Sequence, residues 1–219
     1  MDLYCNRLSV FSHKAKMAFF EKDVTFNEVQ VDMFNPEALE QYREVYPLGK
    51  LPCLKTPTGL IPESTAIIEW LDQYYQVPKL IPANPDDARQ VRLKDRLADL
   101  YVTSNTSLLF FQMLKPADQQ DQERIKIARR QLQAMYDYFE KELAGKDGKD
   151  LFVHGRQLSM ADFALLAGLN GAASFIPLDR HPALARYLAL HNQRPSVVEA
   201  RKGFNEAVGS LLAEAKKRA

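Results

Sequence analysis

Cysteine is scarce in this chain: 219 residues carry two, Cys5 and Cys53. Two lone thiols build neither a disulfide framework nor a cysteine-rich metal site, so no metal is expected and a reduced, cytoplasmic setting is the default. Charge imbalance is lacking too, because 29 basic against 28 acidic residues leave a net +1. No broad field exists to gather a nucleic acid or an anionic membrane. The basic end Lys216-Lys217-Arg218 reads as a solvated helix terminus. No apolar run approaches the roughly 20 residues that span a bilayer, and Met1-Asp2-Leu3-Tyr4 lacks the basic-then-apolar order of a signal peptide. Internal repeats and low-complexity segments are missing as well. What remains is a chain 46% hydrophobic, enough for the core of one large domain or two small ones.

The first third alternates strand and helix. Asp2 to Cys5 suits a buried strand. From Ser12 a helical pattern follows, with Ala15, Met17, Ala18, Phe19 and Phe20 inward and His13, Lys14 and Lys16 free to face out. Thr25 to Val31 alternates as a strand with one wet face. Asn35-Pro36-Glu37 opens a second helix, with Asn35 as cap and Pro36 at the first helical position. Leu51 to Lys55 and Leu60-Ile61, joined by Thr56-Pro57-Thr58-Gly59, read as a hairpin, and a helix follows from Ser64 to Tyr75. A helix between the first two strands implies a parallel crossover, and the turn makes the last two antiparallel. The plan is thioredoxin-like.

Pro78, Pro82 and Pro85 then mark a stiff connector. The expected division is an α/β domain over 1–77, a linker over 78–86 and an all-helical domain over 87–219. The second part shows one long helix from Asp86 to about Met113, with Leu93, Leu97, Leu100 and Tyr101 on one face. Another runs from Ala117 to about Leu143. Ser159 and Asp162 have the spacing of a capping box. The helix after them is apolar almost all round and should be buried. Asp162→Ala is expected to cost around 1 kcal/mol, as for an ordinary helix-start interaction. Short helices start at Pro182 and Pro195, and a last one closes the chain from Phe204.

The chain is organised around Leu48-Gly49-Lys50-Leu51-Pro52-Cys53-Leu54 and, shortly after, Pro62-Glu63-Ser64-Thr65. A proline at the mouth of a strand donates no ladder hydrogen bond, so it belongs at an edge, a first position or a tight turn, and it admits a cis peptide. Ser64 reads as a helix N-cap. A carboxylate, a hydroxyl and free helix N–H groups therefore sit beside irregular backbone, a place to hold a small zwitterion.

Pro47-Leu48-Gly49-Lys50-Leu51-Pro52 with Glu63-Ser64, Ser159-Met160-Ala161-Asp162 and Arg194-Pro195-Ser196, in that order and spacing, resemble the cytosolic glutathione transferase superfamily over nearly the whole chain. The resemblance implies a thioredoxin-like N-terminal domain and an all-helical C-terminal domain, glutathione as co-substrate, a small hydrophobic electrophile and a homodimer. Carried over by position, it makes Pro52 the family's cis-proline, Leu51 the residue whose backbone pairs with the cysteinyl part of glutathione, and Glu63 and Ser64 the binders of its γ-glutamyl end. Lys50 falls near the glycyl end. The family's chemical residue lies in the loop after the first strand. There Ser9 aligns best and Ser12 competes, one turn later. Tyr101, Phe110, Phe111 and Met113 are the expected pocket for the electrophile.

Each of these residues also has a plainer reading: Ser9 as a turn residue, Glu63 as a helix-start acid, and Phe110-Phe111 as core. His13, His154, His181 and His191 have no ligand spacing and read as structural or exposed. No cysteine occupies the loop and no C-x-x-C exists, which disfavours a thiol–disulfide oxidoreductase. One alternative function stays open. Phe11-Ser12-His13-Lys14 also resembles the stringent starvation protein A group, which implies a non-catalytic protein of the same fold bound to a macromolecule such as RNA polymerase.

Overall fold

The computed structural model describes residues 1–218, apart from the side chains of Lys149 and of residues 214–218. Ala219 and the side chains of the basic end Lys216-Lys217-Arg218 thus lie outside the described residues. The first elements are β1 (Asp2–Cys5), α1 (Val10–Glu21), β2 (Asn27–Gln30), α2 (Pro36–Val45), β3 (Cys53–Thr56), β4 (Gly59–Pro62) and α3 (Ser64–Tyr74). The sheet order is β2-β1-β3-β4. β1 and β2 are parallel across the α1 crossover, with Leu3 opposite Glu28, and β3 and β4 form the expected antiparallel hairpin, with Leu54 opposite Ile61. β1 also pairs antiparallel with β3, setting Tyr4 opposite Cys53. This is the mixed sheet of a thioredoxin-like plan, and short connections leave it little other choice of topology.

The rest is helical: α4 (Pro85–Leu97), a π-helical segment (Ala98–Thr103), α5 (Ser104–Met113), α6 (Gln122–Leu143), α7 (Met160–Ala172), α8 (Pro182–His191), α9 (Pro195–Ala200) and α10 (Phe204–Arg218). α7 is buried nearly throughout, as its apolar circumference requires. Burial of each of its large side chains is worth about 1.5–3 kcal/mol. α1 packs against α3, α7 and α9. One continuous apolar core therefore runs from Leu3 and Met17 through Ile67 and Leu71 to Phe163 and Leu165. Glu21 at the end of α1 takes hydrogen bonds from Arg194 and, at 2.7 Å, from the Ser196 hydroxyl, which fastens α9 to it.

Four expectations from the sequence need correction. His13, Lys14 and Lys16 do not face out; all three are buried. The stripe Leu93, Leu100 and Tyr101 is exposed, and α4 instead buries Ala88, Val91, Lys94 and Asp95. Buried cations are the reason. Lys94 reaches Glu142 at 2.6 Å and the Val153 carbonyl at 3.1 Å, and Asp95 meets Lys14 at 2.6 Å, so charge pairing turns the helix. The long helix after Pro85 is interrupted by its π-helical segment. Ser104 Oγ, Asn105 Nδ2 and Thr106 Oγ1 donate to the carbonyls of Asp99, Tyr101 and Val102 and satisfy groups that the wider turn displaces. Finally, the helix expected from Ala117 starts with a 3₁₀ turn, and α6 proper begins after Asp121, whose side chain accepts from the Arg124 N–H.

Candidate functional site

Two segments meet at the ends of β3 and α3. In the first, Gly49 has φ +60°, and a Cβ there would lie 3.2 Å from Leu39 Cδ1, so the turn needs glycine. The Tyr42 hydroxyl donates to the Lys50 carbonyl at 2.9 Å and holds the turn onto α2, while the Lys50 side chain is exposed. The Leu51-Pro52 peptide is cis. Leu51 precedes β3, and the registers with β1 and β4 begin only at Cys53, so no ladder uses its backbone.

In the second segment Ser64 is the first residue of α3 and not its cap. The cap position belongs to Glu63, whose φ of 71° places a non-glycine residue in the left-handed region. Such a conformation costs about 1–3 kcal/mol and clusters at ligand clamps. The Glu63 side chain is exposed and caps nothing. The α3 N-terminus is thus left without a side-chain partner, whereas α1, α2, α4 and α6 are capped by Ser9, Asn35, Asn84 and Asp121. Ser64 itself is 3% exposed. A buried hydroxyl, open helix N–H groups and a free carboxylate side by side can receive a carboxylate and an ammonium from one ligand.

The loop after β1 places the two serines differently. Ser9 caps α1: its N–H donates to the Asn6 carbonyl at 3.0 Å, and its Oγ accepts from the Ser12 N–H at 3.2 Å. That bond uses a lone pair and leaves the hydroxyl proton free to donate. Ser12 is fully buried, and its Oγ accepts from the Asn6 N–H at 3.4 Å. Its hydroxyl faces the interior, so Ser9 is the serine of the pair with an open side. His13 Nε2 meets the Arg7 carbonyl at 2.8 Å and steadies the loop from below. Burial, chiefly, pushes the His13 ring down to about 4, so it is the neutral ring that holds this carbonyl.

The two cysteines cannot share this role. Both are buried. Burial, with Glu28 beside it, pushes the Cys5 thiol up to about 12, and burial also raises Cys53. Neither forms a thiolate at neutral pH. Of the residues expected to receive an electrophile, Tyr101, Phe111 and Met113 are exposed, and Phe110 packs edge to face on Phe111 at 5.7 Å. Sequence reasoning missed the cis Val77-Pro78 peptide. It also missed the buried ion cluster of Lys14, Thr65, Asp95 and Asp99 behind α3. No local pattern marks a lysine as buried when its carboxylates lie more than 80 positions away.

The chain has recognisable similarity to known proteins. Residues 3–79 match the family model described as glutathione S-transferase, N-terminal domain, and residues 105–202 match glutathione S-transferase, C-terminal domain. The chain is 25% identical over 187 residues to a maleylacetoacetate isomerase of Mus musculus, covering 84% of this chain and 83% of that one. It is 33% identical over 93 residues to a stringent starvation protein A homolog of Coxiella burnetii, covering 42% and 44%. A solved glutathione S-transferase of Methylobacterium radiotolerans, in complex with glutathione sulfonate, superposes with a TM-score of 0.77 at 26% identity, covering 91% of this chain and 93% of that one.

Proposed function

Because the chain belongs to the cytosolic glutathione transferase superfamily, we propose that it is a glutathione-dependent transferase, joining the glutathione thiol to a small hydrophobic electrophile. Residues 1–77 would hold glutathione, and residues 87–219 would supply the wall for the electrophile. The observation that carries this reading is the uncapped α3 start, where Glu63 at φ 71° and the buried Ser64 follow Pro62, the strand partner of Cys53, at the same end of the hairpin as the cis Leu51-Pro52 segment. In this reading the α3 N–H groups and Ser64 take the γ-glutamyl carboxylate, and Glu63 takes its ammonium. The free backbone of Leu51 pairs with the cysteinyl unit beside Pro52, and Lys50 lies toward the glycyl carboxylate.

The thiol then lies toward Ser9. Its proton leaves to solvent, and the Ser9 hydroxyl donates to the thiolate at the positive end of α1. Lowering a thiol pKa by about two units takes roughly 3 kcal/mol. A hydrogen bond to a charged group supplies about 1.5–3 kcal/mol, and a helix end about 0.3–1 kcal/mol. The two together are of the required size. The sulfur attacks the electrophilic carbon, the new C–S bond forms, and the leaving group departs with the bonding pair.

Calorimetry with reduced glutathione tests the reading, with binding at or below millimolar ligand as the expected outcome. Absence of heat at that concentration would end it. The alternative would then lead: a non-catalytic protein whose surface binds a macromolecule such as RNA polymerase, a reading favoured by the 33% identity to the stringent starvation protein A homolog.

A further inference from the structure

Lys14 lies in the second turn of α1 with its side chain entirely buried. Its ammonium donates to Thr65 Oγ1 at 2.7 Å and to Asp99 Oδ2 at 2.6 Å, and it is ion-paired with Asp95 Oδ1 at 2.6 Å. Thr65 in turn donates to Asp95 Oδ2 at 2.8 Å. One hydroxyl therefore joins the first turn of α3 to α1 and to α4. The π-helical segment brings in the fourth member, because Asp99 is its second residue. Two carboxylates face one ammonium, and burial pushes the Asp95 carboxyl up against the pull of Lys14.

The placement gives the cluster a specific consequence. Thr65 is the residue after Ser64, and Lys14 is five residues after Ser9, on the same helix that Ser9 caps. The other end of the α1–α3 pair has its own buried lysine. Lys22 donates to Asp72 Oδ1 at 3.0 Å and to the carbonyls of Tyr75 and Pro78 at 2.7 and 2.6 Å. The two helices are thus pinned twice, once beside the candidate ligand site and once away from it. Only the first pin touches the helix start that lacks a cap.

We propose that Lys14 is a positioning residue for the glutathione site: through Thr65 and Asp99 it sets the first turn of α3 against α1 and the helical half, so that Ser64 meets the γ-glutamyl end of the ligand and Ser9 its thiol. The proposal rests on the glutathione reading above. A carboxylate held by open N–H groups at a helix start depends on where that turn lies. A shift of the turn therefore weakens glutathione and leaves the electrophile's own contacts alone.

The test compares Thr65→Val, Asp99→Asn and the distal control Asp72→Asn, with glutathione binding read by calorimetry and stability by thermal melting. Thr65→Val keeps the shape and removes the link; it should raise the glutathione Kd about tenfold, the loss of one hydrogen bond to a charged group. The KM for the electrophile should stay the same. Asp99→Asn should do likewise, and the Thr65→Val/Asp99→Asn pair should lose less than the product of the two single losses, because both cut one linkage. Asp72→Asn should lower the melting temperature with the glutathione Kd unchanged. If Thr65→Val leaves the Kd unchanged, or if Asp72→Asn raises it as much, the cluster is a structural pin only and the proposal is overturned. If the unaltered protein binds no glutathione, the functional reading itself has failed, which is a separate and visible result.

Discussion

Ser9 is asked to do two things with one oxygen. Its lone pair caps α1, and under the proposed function its proton is left for the ligand. The two roles separate by substitution. Ser9→Ala should lose both turnover and about 1 kcal/mol of stability, the usual cost of a lost N-cap. Ser9→Asp keeps an acceptor for the cap and melts no lower than the unaltered protein, yet it should lose turnover on a generic aryl halide, because an ionised carboxylate donates nothing and repels a thiolate. Full turnover in Ser9→Asp would move the activating role to backbone groups.

At the same scale, His13 has a sign that can be worked out. Burial is the main cause that holds its ring down to about 4; Arg201 and Lys16 act in the same direction, and the Arg7 carbonyl opposes them. The folded state thus binds the proton less readily than the unfolded chain, whose histidines titrate near 6.5. Stability is full above about pH 6.5 and is lost as pH falls from there through about 4, by roughly 3 kcal/mol. Denaturant midpoints measured across that window should slope downward for the unaltered protein and flatten in His13→Gln. Equal slopes in both would show that the ring is wetter than the structure has it.

Among the elements, α7 shows how far a local motif can be read and where it stops. Ser159 and Asp162 announce a helix start, and the Asp162 carboxylate does accept from the Ser159 N–H at 2.8 Å and the Ser159 hydroxyl at 2.9 Å. The fold adds two more donors, the Val153 N–H at 2.8 Å and the Tyr187 hydroxyl at 3.1 Å. The carboxylate therefore ties α7 to α8 and to the preceding loop, and it is fully buried. The 1 kcal/mol expected from the motif is too small. Asp162→Ala strands four buried donors, and the loss should be at least about 3 kcal/mol, read as a fall in the denaturant midpoint at constant slope. A loss near 1 kcal/mol would mean that water reaches those donors.

At the scale of the whole molecule, large apolar side chains stand exposed on several elements. Tyr74 is 66% exposed, its ring tilted against Trp70 at 4.8 Å, and Leu60 of β4, Leu93 of α4 and Leu100 of the π-helical segment are also exposed. We propose a homodimer, as the family resemblance implies, in which exposed apolar side chains such as these would be covered. Light scattering should return twice the 25.0 kDa of one chain, and a mass of one chain would remove the expectation.

Taken alone, the sequence determined the strand and helix order, the parallel crossover, the hairpin, the buried α7 and the residues of the Leu51-Pro52 and Glu63-Ser64 segments. These follow from periodicity, turn residues and caps, which act over a few positions. Tertiary structure decided the rest. It turned the leucine stripe of α4 outward, buried Lys14 and His13, moved the α3 cap from Ser64 to a strained Glu63, and buried Ser12 while leaving Ser9 partly exposed. In each case the deciding partner lies in another element. Asp95 and Asp99 draw Lys14 inward across more than 80 residues, and a short polar or charged side chain gives no local sign of whether its partner will be water or a distant, desolvated counter-charge.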